Sequence, residues 1–414
     1  MEPQTDIVLL GATGYTGRLC AAYMAKALPA GTTWVLAGRS EAKLKAVAEE
    51  LEYGDAGKCG VYALDLTSDV AIAELARSAR VVVNVIGPYA SSCGSAVIKA
   101  CAENGTDYID CNGEIPWLQD MISQYDKTAQ ASGAKIIPTA GWGAVPADLS
   151  AYLAAQHIRR AFAQPTREVL VSLNAVRGGF SGGSINSLCD LAGLYGGARI
   201  AASSAPFALA PRRPASVSPR GVLPGPNVFG VRDASVASTQ AEIETAIVGR
   251  SWGLYAGAAD GDGYGPDFYF SSRMRFSSGL AAWAFRFGYL LLTAALTHSA
   301  LLRTFVSKRL FPAGTGPSAE AREGNYFKYR TVAVADTPKD SPVRRVEVHF
   351  VYDGDPYVFT GVSLTEAALL LLQGGTPAHE RGGILTPALL GEKFVARLTR
   401  PEAGVKVEVK TMKS

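Results

Sequence analysis

The chain has 414 residues, 48% of them hydrophobic, and a formal net charge of +3. This length and apolar content suit two domains with sizeable cores, and so small a charge gives no basic field for nucleic acid. Six cysteines without a CxxC pair and four scattered histidines without HExxH argue against a zinc site or a disulfide framework. No metal is therefore expected, and a reducing compartment fits. The opening residues MEPQTDIVLL show no basic n-region and no cleavable apolar segment, so the expectation is a cytoplasmic protein without a signal peptide.

Asp6–Leu10 reads as a short buried parallel strand, and Gly11, Gly14 and Gly17 follow it at GxxGxxG spacing. A dinucleotide loop needs one glycine for the tight turn, one where the backbone nears a pyrophosphate, and one where helix meets strand. Phosphates then sit at the helix N-terminus, where free N–H groups favour negative charge. Thr13 and Thr16 add hydroxyl donors, with Tyr15 between them in the same turn. A second strand, Thr33–Ala37, ends in Gly38-Arg39-Ser40 rather than in the carboxylate that holds a ribose 2′-hydroxyl. Arg39 there faces a 2′-phosphate, which selects NADP(H) over NAD(H).

Further strands are predicted at Val61–Leu64, Val81–Val85, Tyr108–Asp110 and Lys135–Pro138. Amphipathic stretches alternate with them at Tyr15–Ala27, Glu41–Leu51, Val70–Ala76, Ser95–Asn104 and Trp117–Ser132. The alternation predicts right-handed crossovers and a Rossmann-type doubly wound parallel sheet over residues 1–146. Ligands in such sheets bind beyond the carboxyl ends of the strands. Asp65 ends the third strand and suits either the adenine amino group or a turn. Ile86, Gly87 and Pro88 follow the fourth strand and run beside the cofactor. Tyr89 either points toward the hydride or plugs the space between sheet and helix. Cys111 opens the loop after the fifth strand.

Residues 147–414 read as a substrate and dimerisation domain of α+β type with a mixed or antiparallel sheet. Its strands are expected at Arg167–Ala175, Glu242–Val248, Asp267–Arg275, Tyr326–Val334, Val343–Tyr352 and Val405–Val409. GGFSGGSINS, residues 178–187, forms a glycine-rich turn in which Ser181 and Ser184 either hold a substrate oxygen or simply shape the turn. Residues 203–232 carry six prolines and suggest an irregular excursion, a candidate pocket lid. Residues 279–306 are strongly apolar, but the longest uncharged run, Phe287–Leu302, is sixteen residues against the roughly twenty of a spanning helix. A core helix, a homodimer seam and a helix lying on a membrane compete there. Interior Arg286 and His298, costly in lipid, favour the first two.

GPYASSCGSAVIKACAENGTDYIDCNGE, residues 87–114, resembles the saccharopine dehydrogenase-like NAD(P)-binding oxidoreductases, which carry a GPY, a helix and a GTxYxDxxGE strand and turn. Further matches are SGGS at 181–184, GTGPS at 314–318, GDPY at 354–357 and GGILTP at 382–387. The resemblance runs nearly the whole length and points to the branch of trans-acting enoyl reductases and their eukaryotic relatives. It implies that the helical run near 362–373 packs back on the first domain. One departure stands out. The family's GFDSxPxDL turn is Gly141-Trp142-Gly143-Ala144-Val145-Pro146-Ala147-Asp148-Leu149 here, and losing its polar Asp-Ser pair suggests an apolar pocket.

An NADP(H) site implies hydride transfer. No tyrosine has a lysine four residues on in the first domain, so the acid of short-chain reductases is absent. A C=C conjugated to a carbonyl in a polyketide, terpenoid or lipid intermediate fits, with Tyr89, Cys93, Tyr195, Tyr264 or water as proton donor. Two alternatives stay open. One is C=N chemistry of saccharopine type, with Arg177 and Arg273 holding carboxylates. The other is a non-enzymatic nucleotide-binding protein on a membrane or lipid surface.

Overall fold

The computed structural model describes residues 5–214, 235–256, 263–338 and 341–412. Seven strands form the first sheet: β1 (Thr5–Leu10), β2 (Trp34–Gly38), β3 (Gly60–Ala63), β4 (Ala79–Asn84), β5 (Asp107–Asp110), β6 (Lys135–Ile137) and, from far along the chain, β12 (Gly383–Ile384). All its pairings are parallel and its order is β12-β6-β5-β4-β1-β2-β3, the doubly wound arrangement that the alternation predicts. Connecting helices are α1 (Tyr15–Ala27), α2 (Glu41–Glu50), α3 (Asp69–Ser78), α4 (Gly94–Asn104), α5 (Ile115–Ser132) and α6 (Val145–Phe162).

Side chains alternate across β1. Ile7 and Leu9 enter one core with α1, α2 and the second half of the chain, while Val8 and Leu10 enter another with α3, α4 and α5. Burial on both faces explains why these strands read as continuous apolar runs.

The second sheet is mixed, in the order β13-β11-β10-β7-β9-β8. It is built from β7 (Thr166–Arg177), β8 (Ser235–Ala237), β9 (Tyr269–Arg275), β10 (Tyr326–Ala335), β11 (Arg345–Tyr352) and β13 (Val405–Thr411). The helices of this half are α7 (Gly182–Leu194), α8 (Gly196–Ser203), α9 (Ala241–Tyr255), α10 (Gly279–His298), α11 (Ala300–Phe305), α12 (Ala319–Arg322), α13 (Pro356–Gln373) and α14 (Gly391–Leu398). The expected strand Glu242–Val248 is the start of α9. From Ala246 to Tyr255 the helix is buried on every side, so no periodicity separates its apolar run from a strand. Part of the proline-rich stretch, 215–234, lies outside the described residues.

α13 crosses between the two halves. Gly361 meets α1 so closely that an added Cβ would stand 3.0 Å from Cys20 Cα. The Tyr23 hydroxyl donates to Glu366 at 2.8 Å, and Arg397 of α14 pairs with the same buried carboxylate.

Candidate active site

The three glycines of the first loop have distinct constraints. Gly11 has φ +96°, and a Cβ there would stand 2.7 Å from Ile86 Cγ1. A Cβ on Gly17 would stand 2.1 Å from the Gly11 carbonyl oxygen, so helix and strand touch there. At Gly14 the nearest atom to such a Cβ is that same oxygen, at 3.4 Å, and nothing else stands within 4 Å. Gly14 is also the N-cap of α1, with no side chain capping the first turn. An uncapped helix start beside an open backbone fits a pyrophosphate. Thr13 is exposed at this turn and Thr16 half-buried.

Beyond β2, Arg39 is exposed, and its charge reaches the Cys93 thiol across the cleft edge. Ser40 Oγ accepts the Lys43 N–H at 3.5 Å and caps α2, leaving its O–H free to donate. Asp65 takes the turn role. Its Oδ1 accepts from Thr67 N at 2.8 Å and Thr67 Oγ1 at 2.7 Å, bonds that hold this exposed carboxyl below its usual range. Only its second oxygen is left for an adenine.

The loop after β4 is held by buried carboxylates. Glu114 Oε1 accepts the Tyr89 N–H at 2.9 Å and the Ser187 hydroxyl at 2.8 Å, and Oε2 accepts the Ala90 N–H at 2.8 Å. Burial pushes this carboxyl up, against the pull of those donors. Asp110 at the end of β5 accepts from Asn112, Thr139 and the Tyr108 hydroxyl. Gly87 is exposed on this loop and Pro88 half-buried.

Tyr89 is the plug. It is 4% exposed, its ring lies 5.5 Å from Trp117, and its hydroxyl donates to the Asn84 carbonyl at 3.1 Å and meets Cys111 Sγ at 3.4 Å. That corrects the expectation of a hydride-facing tyrosine, because the apolar slot between β4 and α5 takes the ring. Cys111 is turned to the same hydroxyl, and burial pushes its thiol up to about 12. Tyr264 is 1% exposed among Tyr255 and Phe268, inside the core of the second half, so it donates no proton at this cleft.

α7 faces this loop from the second half of the chain. Its N-cap Ser181 is 2% exposed, and its Oγ accepts the Ser184 N–H at 3.2 Å. Ser181 therefore shapes the turn, and the expected oxygen-holding role falls to the exposed Ser184. Ser184 Oγ lies 2.8 Å from the Tyr357 hydroxyl, which also accepts the Ser181 N–H at 2.8 Å. Tyr357 starts α13, held by an Asp355 cap, and its ring meets Tyr15 edge-on at 5.3 Å. The Tyr15 hydroxyl donates to the Pro317 carbonyl at 2.9 Å, and a Cβ on Gly316 would stand 2.4 Å from the Tyr15 ring. The start of α1, the hydroxyl pair and the GTGPS loop thus meet at one place.

Apolar side chains pack against the glycines of two neighbouring loops. A Cβ on Gly113 would stand 2.9 Å from Ile243 Cδ1, and one on Gly143 4.0 Å from the same atom. The Trp142 ring lies 5.9 Å from Phe327, and its indole nitrogen is buried without a partner. Of the two arginines considered for carboxylates, Arg273 is committed to Ser235, through Nε to Oγ at 2.8 Å and Nη2 to the carbonyl at 2.9 Å. Arg177 is exposed at the end of β7. Tyr357, Glu114, Ser187 and Ile243 had no role in the sequence reading. The GDPY and GE motifs marked two of them, but nothing in the spacing says that they converge.

A doubly wound sheet with this loop and these flanks defines a dinucleotide-dependent oxidoreductase. The profile of the saccharopine dehydrogenase NADP binding domain matches residues 7–137. A Mycobacterium tuberculosis protein provisionally named a trans-acting enoyl reductase is 33% identical over 99% of this chain and 98% of its own length. A Mycobacterium bovis protein named trans-acting enoyl reductase is 30% identical over 98% of this chain and 97% of its own. Saccharopine dehydrogenase (L-Glu forming) from Saccharomyces cerevisiae shares the fold, with a TM-score of 0.57 at 14% identity over 99% of this chain and all of that one. The chain belongs to the saccharopine dehydrogenase-like family of NADP-binding oxidoreductases, with the trans-acting enoyl reductases as full-length relatives. It is an NADP-dependent oxidoreductase.

Proposed function

We propose that this oxidoreductase is an enoyl reductase that saturates a C=C bond conjugated to a carbonyl in an apolar polyketide, terpenoid or lipid intermediate. The observation that carries the reading is the Ser184–Tyr357 hydroxyl pair, 2.8 Å apart, set against Tyr15 at the start of α1. In this reading the uncapped start of α1 and Gly14 hold the pyrophosphate, with Thr13 and Thr16 as donors, and Arg39 and Ser40 hold the 2′-phosphate. Ile86, Gly87 and Pro88 flank the rest of the dinucleotide.

When bound, NADPH supplies the hydride that adds to the β carbon. The chain's own task is to hold the carbonyl oxygen as it gains negative charge. Whichever hydroxyl of the pair is not donating to the other donates to that oxygen, and a water held by the pair delivers a solvent proton to the α carbon. Ser181 fixes Ser184, and Glu114 fixes the loop opposite through Ser187. Product and substrate then differ by two hydrogens, one from hydride and one from the proton.

The loss of the polar pair from the Gly141–Leu149 turn supports the substrate class, as does Ile243 packed beside Gly113 and Gly143. Full-length relatives named trans-acting enoyl reductases support the reaction. Solvent extracts of cells with and without the chain test the reading. Unsaturated intermediates accumulate without it if the reading is right. Accumulation of amino-acid conjugates instead assigns it to C=N chemistry.

A further inference from the structure

Among the described residues, one long and strongly apolar helix is also highly exposed. α10 has twenty residues, an eighteen-residue stretch of which has a mean hydropathy of 1.4, yet only Ala282 and Leu296 are buried. Leu280, Trp283, Phe287 and Leu291 are 76%, 63%, 51% and 55% exposed. α11 adds Leu301 and Phe305, 86% and 53% exposed. That removes the core-helix reading of residues 279–306. Single exposed leucines need no explanation, but a contiguous face of this kind does.

Charge decides what covers it. No Asp or Glu occurs between Phe268 and Ala319, whereas Lys308 and Arg309 stand exposed where the face ends. A second copy on a two-fold axis would present an identical acid-free face, with no carboxylate to pair these cations. Anionic headgroups complement them directly.

Attachments along one side decide how the helix lies. Arg286 is half-buried within electrostatic reach of Glu242 on α9. Leu296 is buried with Cys189 and Ala192 of α7. Arg303 donates to the carbonyls of Leu296 and Thr297 at 2.6 and 3.1 Å. A helix pinned at both ends to its own protein stays in the plane of an interface rather than crossing it.

We infer that α10 and α11 form a docking face for the surface of an anionic lipid bilayer. The inference stands on exposure, charge and attachment, whatever the reaction. Its consequence for the site is geometric. α7, which packs on Leu296, begins at Ser181, and Phe180 just before it is 67% exposed. Docked this way, the bilayer is separated from the Ser184 turn by one helix.

Flotation of the full chain tests this, with vesicles of phosphatidylcholine alone and with phosphatidylglycerol added. The chain is expected to float with both, more with the anionic ones. Leu291→Asp with Leu292→Asp lowers the bound-to-free ratio about a hundredfold on both. Lys308→Ala with Arg309→Ala lowers it roughly thirtyfold on anionic vesicles and little on neutral ones. NADPH fluorescence titration should be unchanged in both variants, which separates lost docking from lost fold. Absence of flotation overturns the inference, as does flotation indifferent to both variants. A dimer that the leucine variant turns into monomer in sedimentation, without vesicle binding, assigns the face to a second copy. Resistance to alkaline carbonate extraction after synthesis in cells assigns it to a spanning helix.

Discussion

Glu114 Oε1 accepts the Ser187 hydroxyl at 2.8 Å and, at the same oxygen, the Tyr89 N–H at 2.9 Å. One buried carboxylate thus joins the loop at the carboxyl end of β4 to the helix that carries Ser184. Glu114→Gln keeps the shape but sets an amide NH₂ against a donor. The expected cost is about 1–3 kcal/mol in thermal or urea unfolding. Turnover should fall further than NADPH affinity, because the linked turn moves. Equal losses in both would reduce Glu114 to a simple stabiliser.

Arg39 governs cofactor choice in this account. A charge-assisted bond to a 2′-phosphate contributes about 1.5–3 kcal/mol, or roughly ten- to over a hundredfold in affinity. NADPH should bind that much better than NADH, and Arg39→Asp should abolish or reverse the preference. Fluorescence titration of both cofactors against both proteins is the check. Equal binding by the unmutated chain would remove Arg39 from the site.

The two serines should separate. Ser181→Ala removes a helix cap and should cost about 1 kcal/mol of stability. Ser184→Ala should leave stability nearly intact, and Tyr357→Phe, which orphans the Ser181 N–H, should cost about 1–3 kcal/mol. Both should leave NADPH binding nearly intact while lowering kcat, and kcat/KM by a similar factor. Unchanged kcat in both would assign the hydroxyl pair to structure.

Asp148 gives a pH signature. It is fully buried, accepts from Ser251 Oγ at 2.6 Å and Ala388 N at 2.8 Å, and burial raises its carboxyl to about 7. Its unfolded value is near 4. Between those values the folded chain binds the proton and the unfolded chain does not, so stability falls as pH rises from about 4 to about 7 and levels above. Asp148→Asn should lessen that slope in melting temperatures measured across the range, the remainder coming from Glu244, whose carboxyl burial also raises to about 7. A slope unchanged in the variant would place its source elsewhere.

The first sheet was legible because strand, glycine loop and helix recur with fixed roles, and burial on both faces makes each strand a plain apolar run. Glu242–Val248 misled because Ile243, Thr245, Ile247 and Val248 favour a strand locally, and only burial on every side of α9 from Ala246 onward decides for helix. Tyr89 was ambiguous for a related reason. Its motif marks a loop near the cofactor, but whether the ring turns inward depends on the slot beside Trp117. Tyr357 was invisible as a site residue, because it lies 173 positions from Ser184 and only the crossing of α13 over α1 unites them. The apolar character of residues 279–306 was plain from composition. Its exposure was not, since a core helix and a surface helix of that length read alike.

The central claim is hydride delivery to a carbon–carbon double bond. The most direct measurement uses NADPH deuterated at the transferring position of nicotinamide C4, the purified chain, and an α,β-unsaturated acyl thioester with a long apolar tail. Mass spectrometry and NMR of the product then locate the label. The account predicts one deuterium at the β carbon, one solvent proton at the α carbon, and one NADPH oxidised per double bond lost. NADPH oxidation only with an imine formed from an amino acid and an oxo acid, with the thioester unchanged and unlabelled, would contradict it.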